Sequence, residues 1–195
     1  MGIIKDIGRR VEIVNLDVFH EITIALYQQD SDNGFVYLVH TYSSIEGGRE
    51  RVEFITQAMR VLGGMEVVNG EVEMLRFACG HEHLSLVKIL FLQACKVDPN
   101  AALKTLPLTV TDIKSDQDFF VESLGSGDYE LTASGKVEKK IKRVQTVINL
   151  MVKHGGMNVI DESPCRISFP CGMSHDILAG LLLAHAVKVR VSALA

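Results

Sequence analysis

The sequence predicts an α+β fold of two tandem homologous units, each an antiparallel sheet with two helices on one face, related by a pseudo-twofold axis. Three observations lead there. Phe-x-Cys-Gly-x-x-His occurs twice, in "RFACGHEH" (Arg76–His83) and "SFPCGMSH" (Ser168–His175), 92 positions apart. Without any gap, Arg51–Val97 matches Arg143–Val189 at about a third of positions, against about one in fifteen by chance. Many remaining differences exchange one apolar residue for another, such as Ile55 for Val147 and Leu75 for Ile167. Finally, short alternating segments and amphipathic segments recur in the same order in both halves.

The first unit spans residues 1–97 and the second 104–195. The join "DPNAALKT" contains Asp98-Pro99-Asn100, a turn signal, and is too short for a loose tether. Two copies are too few for a solenoid, which suits a pseudo-symmetric pair packed as one globule. Upstream the match thins, although Tyr37 still falls over Tyr129 and Ile45 over Val137 at the same spacing.

Each element has a local reason. "VEIVNLDVF" and "ITIALYQQ" are β-branched and alternating, and "DSDNG" turns the chain into "FVYLVHTY". The second unit repeats this as "LPLTVTDI", "DFFVESL", the turn "GSG" and "DYELTAS". Helices follow at about 46–62 and 136–154. Val52, Ile55, Met59 and Leu62 share one face of the first, and Val144, Val147, Ile148 and Met151 one face of the second. Gly63-Gly64 and Gly155-Gly156 end them.

"MEVV-NG-EVEMLRF" is a hairpin around Asn69-Gly70. "MNVI-DE-SPCRISF" is its counterpart, with the turn placed at Asp161-Glu162. Pro164 puts its strand at an edge or at its own beginning, because proline donates no ladder hydrogen bond. The last helix of each unit, about 83–97 and 174–189, is apolar nearly all round. Such a helix is buried on most sides, against its own sheet and a further partner.

The totals bound the function. The chain has 195 residues, 47% hydrophobic and 23% charged, with net charge −4. That is ordinary globular composition, long enough to bury a core. An acidic chain has no general attraction for nucleic acid or an anionic membrane. The basic run Lys136, Lys139, Lys140, Lys142, Arg143 has no interleaved aromatics for base stacking and reads as a solvated helix face. No apolar run is long enough for a secretory signal or a membrane span, and Asp6 stands where a myristoylation motif needs Ser or Thr. A cytoplasmic location and reduced thiols at Cys79, Cys95, Cys165 and Cys171 follow. No phosphate loop, dinucleotide fingerprint or nucleophile elbow is present. His20, His40 and His154 read as isolated, with His154 favourably placed at a helix C-terminus.

The repeated motif therefore carries the functional reading. It is expected where a strand ends and a helix begins: Cys79 and Cys171 last in their strands, Gly80 and Gly172 turning, His83 and His175 in the first helical turn, Ser174 the N-cap. Unpaired amides and the positive helix end gather there. The first expectation is a cytoplasmic protein binding a small molecule or anion at Cys79, Gly80, His81, Glu82, His83, Cys171, Gly172, Ser174 and His175, with enzymatic activity left open. A non-catalytic structural or regulatory protein, homo-oligomeric through its apolar helices, is the alternative.

A zinc- or thiol-dependent enzyme comes third. Cys79, His83, Cys171 and His175 make a tetrahedral zinc set if the two units bring them together. Against that, Cys-x3-His is not a usual zinc-finger spacing and no Cys-x2-Cys occurs, so none of the four is assigned as a metal ligand. For thiol catalysis, Glu82 or Asp176 would orient the histidine, but adjacent helical side chains diverge. No motif names a cofactor.

Overall fold

In the computed structural model, residues 3–14, 23–31, 34–42, 47–98, 103, 109–112, 117–135 and 137–193 are described. The chain divides into two compact units, Met1–Lys104 and Thr105–Ala195.

The first unit runs β1 (Ile3–Ile7), β2 (Arg10–Val14), β3 (Ile24–Ser31), β4 (Gly34–Thr41), α1 (Gly48–Gly63), β5 (Met65–Val68), β6 (Glu71–Phe77) and α2 (Leu84–Ala94). Its strands form an antiparallel sheet in the order β1-β2-β3-β4-β6-β5. Helix α1 packs on β4, β5 and β6, and α2 packs on α1 and reaches β3. Val52, Ile55, Met59 and Leu62 are the buried face of α1, as their spacing predicts. The α2 side chains Leu86, Val87, Leu90 and Phe91 are buried too.

The second unit runs β7 (Thr109–Asp112), β8 (Gln117–Gly125), β9 (Asp128–Ala133), α3 (Val137–Gly155), β10 (Asn158–Glu162), β11 (Cys165–Ser168) and α4 (Asp176–Ala193). Its antiparallel sheet has the order β10-β11-β9-β8-β7. Helix α3 packs on β9, β10 and β11, and α4 packs on α3, β7 and β8. Val144, Val147, Ile148 and Met151 are buried, and Lys142 lies on the exposed side of α3. Lys136 and the segments 15–22, 32–33, 43–46, 99–102 and 104–108, including most of the predicted join, lie outside the described residues.

Both helix pairs close on a glycine. A Cβ on Gly63, in the last turn of α1, would stand 2.1 Å from Leu90 Cδ2 of α2. A Cβ on Gly155, at the end of α3, would stand 2.1 Å from Leu182 Cδ2 of α4. These glycines let the helices approach; the left-handed stop falls one residue later, at Gly64 and Gly156.

Three expectations are corrected. Strand β1 was not anticipated: its Ile4 and Ile7 are 43% and 60% exposed, so it has no buried face to give an alternating pattern. The second-unit hairpin turns at Ser163-Pro164, not Asp161-Glu162, because Glu162 pairs with Cys165 and Asp161 with Arg166. Proline, which has no N–H, thereby stays out of the ladder, and a register shift after Val159 absorbs the extra residue. His154 and His40 are not isolated: the His154 ring meets that of His185 edge-on at 5.2 Å, and the His40 ring meets that of Tyr42 edge-on at 5.1 Å. Among the described residues, no helix is long and apolar enough to cross a membrane.

Candidate functional site

In the first unit, β6 ends at Phe77 and not at Cys79. The Gly80 N–H donates to the Phe77 carbonyl at 2.9 Å, closing a turn with Cys79 at its third position. Gly80 then takes φ 69°, a left-handed value that costs other residues strain. His83 sits just outside α2 as its N-cap: its carbonyl accepts the first helical bond from Val87 N–H, while its own φ and ψ are −134° and 48°. A helical first-turn position, as expected from sequence, would have turned the imidazole elsewhere. Here His83 Nε2 lies 3.2 Å from Cys79 Sγ.

The second unit does the same with different neighbours. Strand β11 ends at Ser168, and Gly172 N–H donates to the Phe169 carbonyl at 2.9 Å. Pro170, the second residue of this turn, has the φ such a position requires. Gly172 has φ 68°. His175 immediately precedes α4 and its carbonyl accepts from Ala179 N–H. Its Nε2 lies 3.1 Å from Cys171 Sγ. Ser174 is not the N-cap. Its hydroxyl is drawn to Asp176, donating to Oδ1 at 2.8 Å, and touches the Tyr129 hydroxyl.

Each histidine is held by two aromatic residues. The Tyr37 hydroxyl, on β4, accepts from His83 N–H at 2.9 Å. The Tyr129 hydroxyl, on β9, accepts from His175 N–H at 2.6 Å. Phe77 meets the His83 ring edge-on at 5.2 Å, and Phe169 meets His175 at 5.1 Å. Tyr37 and Tyr129 pack edge-on against those same phenylalanines. Burial pushes both phenols up to about 12, so their hydroxyls stay neutral. The tyrosines are the site residues that motif reading missed. Their signal was already present, because Tyr37 and Tyr129 match at the 92-residue spacing.

The other predicted residues play lesser parts. The His81 N–H points at Cys79 Sγ from 3.4 Å, and the exposed His81 ring contacts the Cys79 carbonyl. Glu82 accepts from the buried Gln28 amide at 2.7 Å, and Asp176 accepts from Tyr129 and Ser174. These bonds of Glu82 and Asp176 go to groups other than the imidazoles. A hairpin tip seats on each corner: a Cβ on Gly34 would lie 2.5 Å from the Gly80 oxygen, and one on Gly127 2.8 Å from Gly172. Elsewhere, the side chains of Cys95 and Cys165 stand apart as raised, protonated thiols, both chiefly through burial.

Each corner thus presents one thiol sulfur and one imidazole nitrogen side by side on a fixed backbone. Such a pairing can serve as a two-ligand chelate for a soft or borderline metal ion. With sulfur and nitrogen at about 2.3 and 2.0 Å from zinc, a tetrahedral S–N edge is about 3.5 Å. Both observed separations fall a few tenths of an ångström short of it. Comparison of the chain with known protein families, curated proteins and solved structures finds no match.

Proposed function

We propose that this is a zinc-binding protein in which each corner supplies ligands to an ion, Cys79 with His83 in the first unit and Cys171 with His175 in the second. The observation that carries this reading is the sulfur–Nε2 pair, 3.2 Å in one unit and 3.1 Å in the other. Thiolate and neutral imidazole are both ordinary zinc ligands, and each corner presents one of each. The unusual Cys-x3-His spacing is accommodated because both side chains leave one tight turn.

The anion reading has less behind it. The amide of each histidine, the natural anion donor at that helix end, already donates to a tyrosine hydroxyl. Glu82 and Asp176 add carboxylates beside the corners. For the oligomer reading, the helix residues Leu86 and Leu181 are already buried within the chain. We read the two units as copies of one ancestor. The shared strand order, the paired Gly–Leu helix contacts and the repeated Tyr–Phe–His–Cys corner support that.

The test is elemental analysis of protein purified without chelator, with cobalt substitution as a spectroscopic check. Stoichiometric zinc is expected. Cys79→Ser and Cys171→Ser should each lower the zinc content, and chelation should lower the melting temperature of the wild type by linkage. Absence of stoichiometric metal, with no tetrahedral cobalt absorption, would overturn the proposal.

A further inference from the structure

Resting on the zinc reading, we infer that Tyr37 and Tyr129 are positioning residues, each fixing a histidine so that its Nε2 faces the neighbouring cysteine sulfur. An N-cap residue has non-helical backbone angles and an N–H outside the helical bond ladder, so the helix alone does not fix its orientation. At His83 that freedom is removed from two sides. The N–H is tied to the Tyr37 hydroxyl, and the ring is pressed edge-on by Phe77. Tyr37 is fully buried on β4, between β3 and β6 in the sheet, so its hydroxyl is a fixed point. Tyr129 is equally buried on β9, between β8 and β11, and fixes His175 in the same way.

The two corners differ around the same device. Tyr129 donates its own proton to Asp176 Oδ1 at 3.0 Å, whereas Glu82 of the first unit is taken by Gln28. What both units keep is the hydroxyl accepting from histidine and the perpendicular Tyr–Phe–His packing. Groups that orient a metal's histidines change affinity by about 10- to 100-fold when removed. Phenylalanine retains the ring packing and deletes only the hydroxyl, which makes it the informative substitution.

The experiment uses the full chain with two readouts. The first is affinity for cobalt(II) and zinc(II), with the cobalt absorption band as the reporter of geometry. The second needs no metal: the iodoacetamide alkylation rate at each cysteine in chelator-treated protein, resolved by mass spectrometry. Tyr37→Phe is expected to weaken metal binding at least tenfold, alter the cobalt band, and change alkylation at Cys79 while leaving Cys171 alone. Tyr129→Phe is expected to do the converse. Ile55→Val, a conservative core change on α1, controls for general loss of stability and should leave affinity and both rates unchanged. If the wild type takes up no metal, the zinc reading fails, and the alkylation pattern alone still decides the positioning role. Wild-type affinity, band and rates in both tyrosine variants would overturn the inference, as would the same changes in Ile55→Val.

Discussion

Replacing Gly34 by alanine tests whether the β3–β4 hairpin is seated on the Cys79–Gly80 corner. The added Cβ would lie 2.5 Å from the Gly80 oxygen, against 3.4 Å at ordinary contact, so the gap must open by 0.9 Å (3.4 − 2.5). The Phe35 N–H bond to that same oxygen is already 3.3 Å long and does not survive such a shift. Its loss costs about 1 kcal/mol. Gly34 also has φ 99°, and an L-residue there costs about 1–2 kcal/mol. Adding about 1–3 kcal/mol for overpacking brings the total to about 3–6 kcal/mol. For a chain of this length that lowers the melting temperature by on the order of 10 °C. Gly8→Ala is the control: its φ is 61°, but nothing lies within 4 Å of the added carbon, so it carries the backbone cost alone. Thermal unfolding followed by circular dichroism reads both. Equal losses for the two variants would refute the seating of the hairpin on the corner, because the contact energy would then be absent.

Two further outcomes are expected. Gly63→Ala and Gly155→Ala should each cost about 1–3 kcal/mol in denaturant titration, because the new methyl meets a fully buried leucine at 2.1 Å; adding Leu90→Ala to the first should give a double-mutant coupling that Leu182→Ala does not. Cys95 should resist alkylation in the native state, since burial raises its thiol from 9.0 to about 12. The sign of the linkage follows: above pH 9 the unfolded thiol ionises while the folded one does not, so this contribution is intact below pH 9 and is lost as pH climbs towards 12. Cys95→Ala should flatten the alkaline fall in stability.

The elements with one buried face were legible before any coordinates. Val52, Ile55, Met59 and Leu62 of α1, and their counterparts in α3, announce themselves because burial imposes a period. Asn69 and Gly70 announce a turn because both adopt positive φ, as the hairpin demands. Strand β1 was not legible because exposure on both faces leaves no pattern. The shift of the turn to Ser163-Pro164 depends on a bulge, which a two-residue template does not anticipate. At the corners, the motif named Cys79, His83, Cys171 and His175. It placed the histidines one step too far into the helix, because capping is a matter of backbone angles and not of residue type. Tyr37 and Tyr129 stand 46 positions from the histidines they hold, and local spacing carries no information about such a contact.

That separation has a consequence for how the chain matures. The Cys-x3-His spacing exists as soon as it is synthesised, yet the tyrosine contact that holds the histidine forms only when the intervening helix and hairpin have closed the distance. The sulfur–imidazole pairing of each corner therefore depends on contacts of high sequence separation, which close slowly. A halted or misassembled unit would carry the same residues without their shared aim.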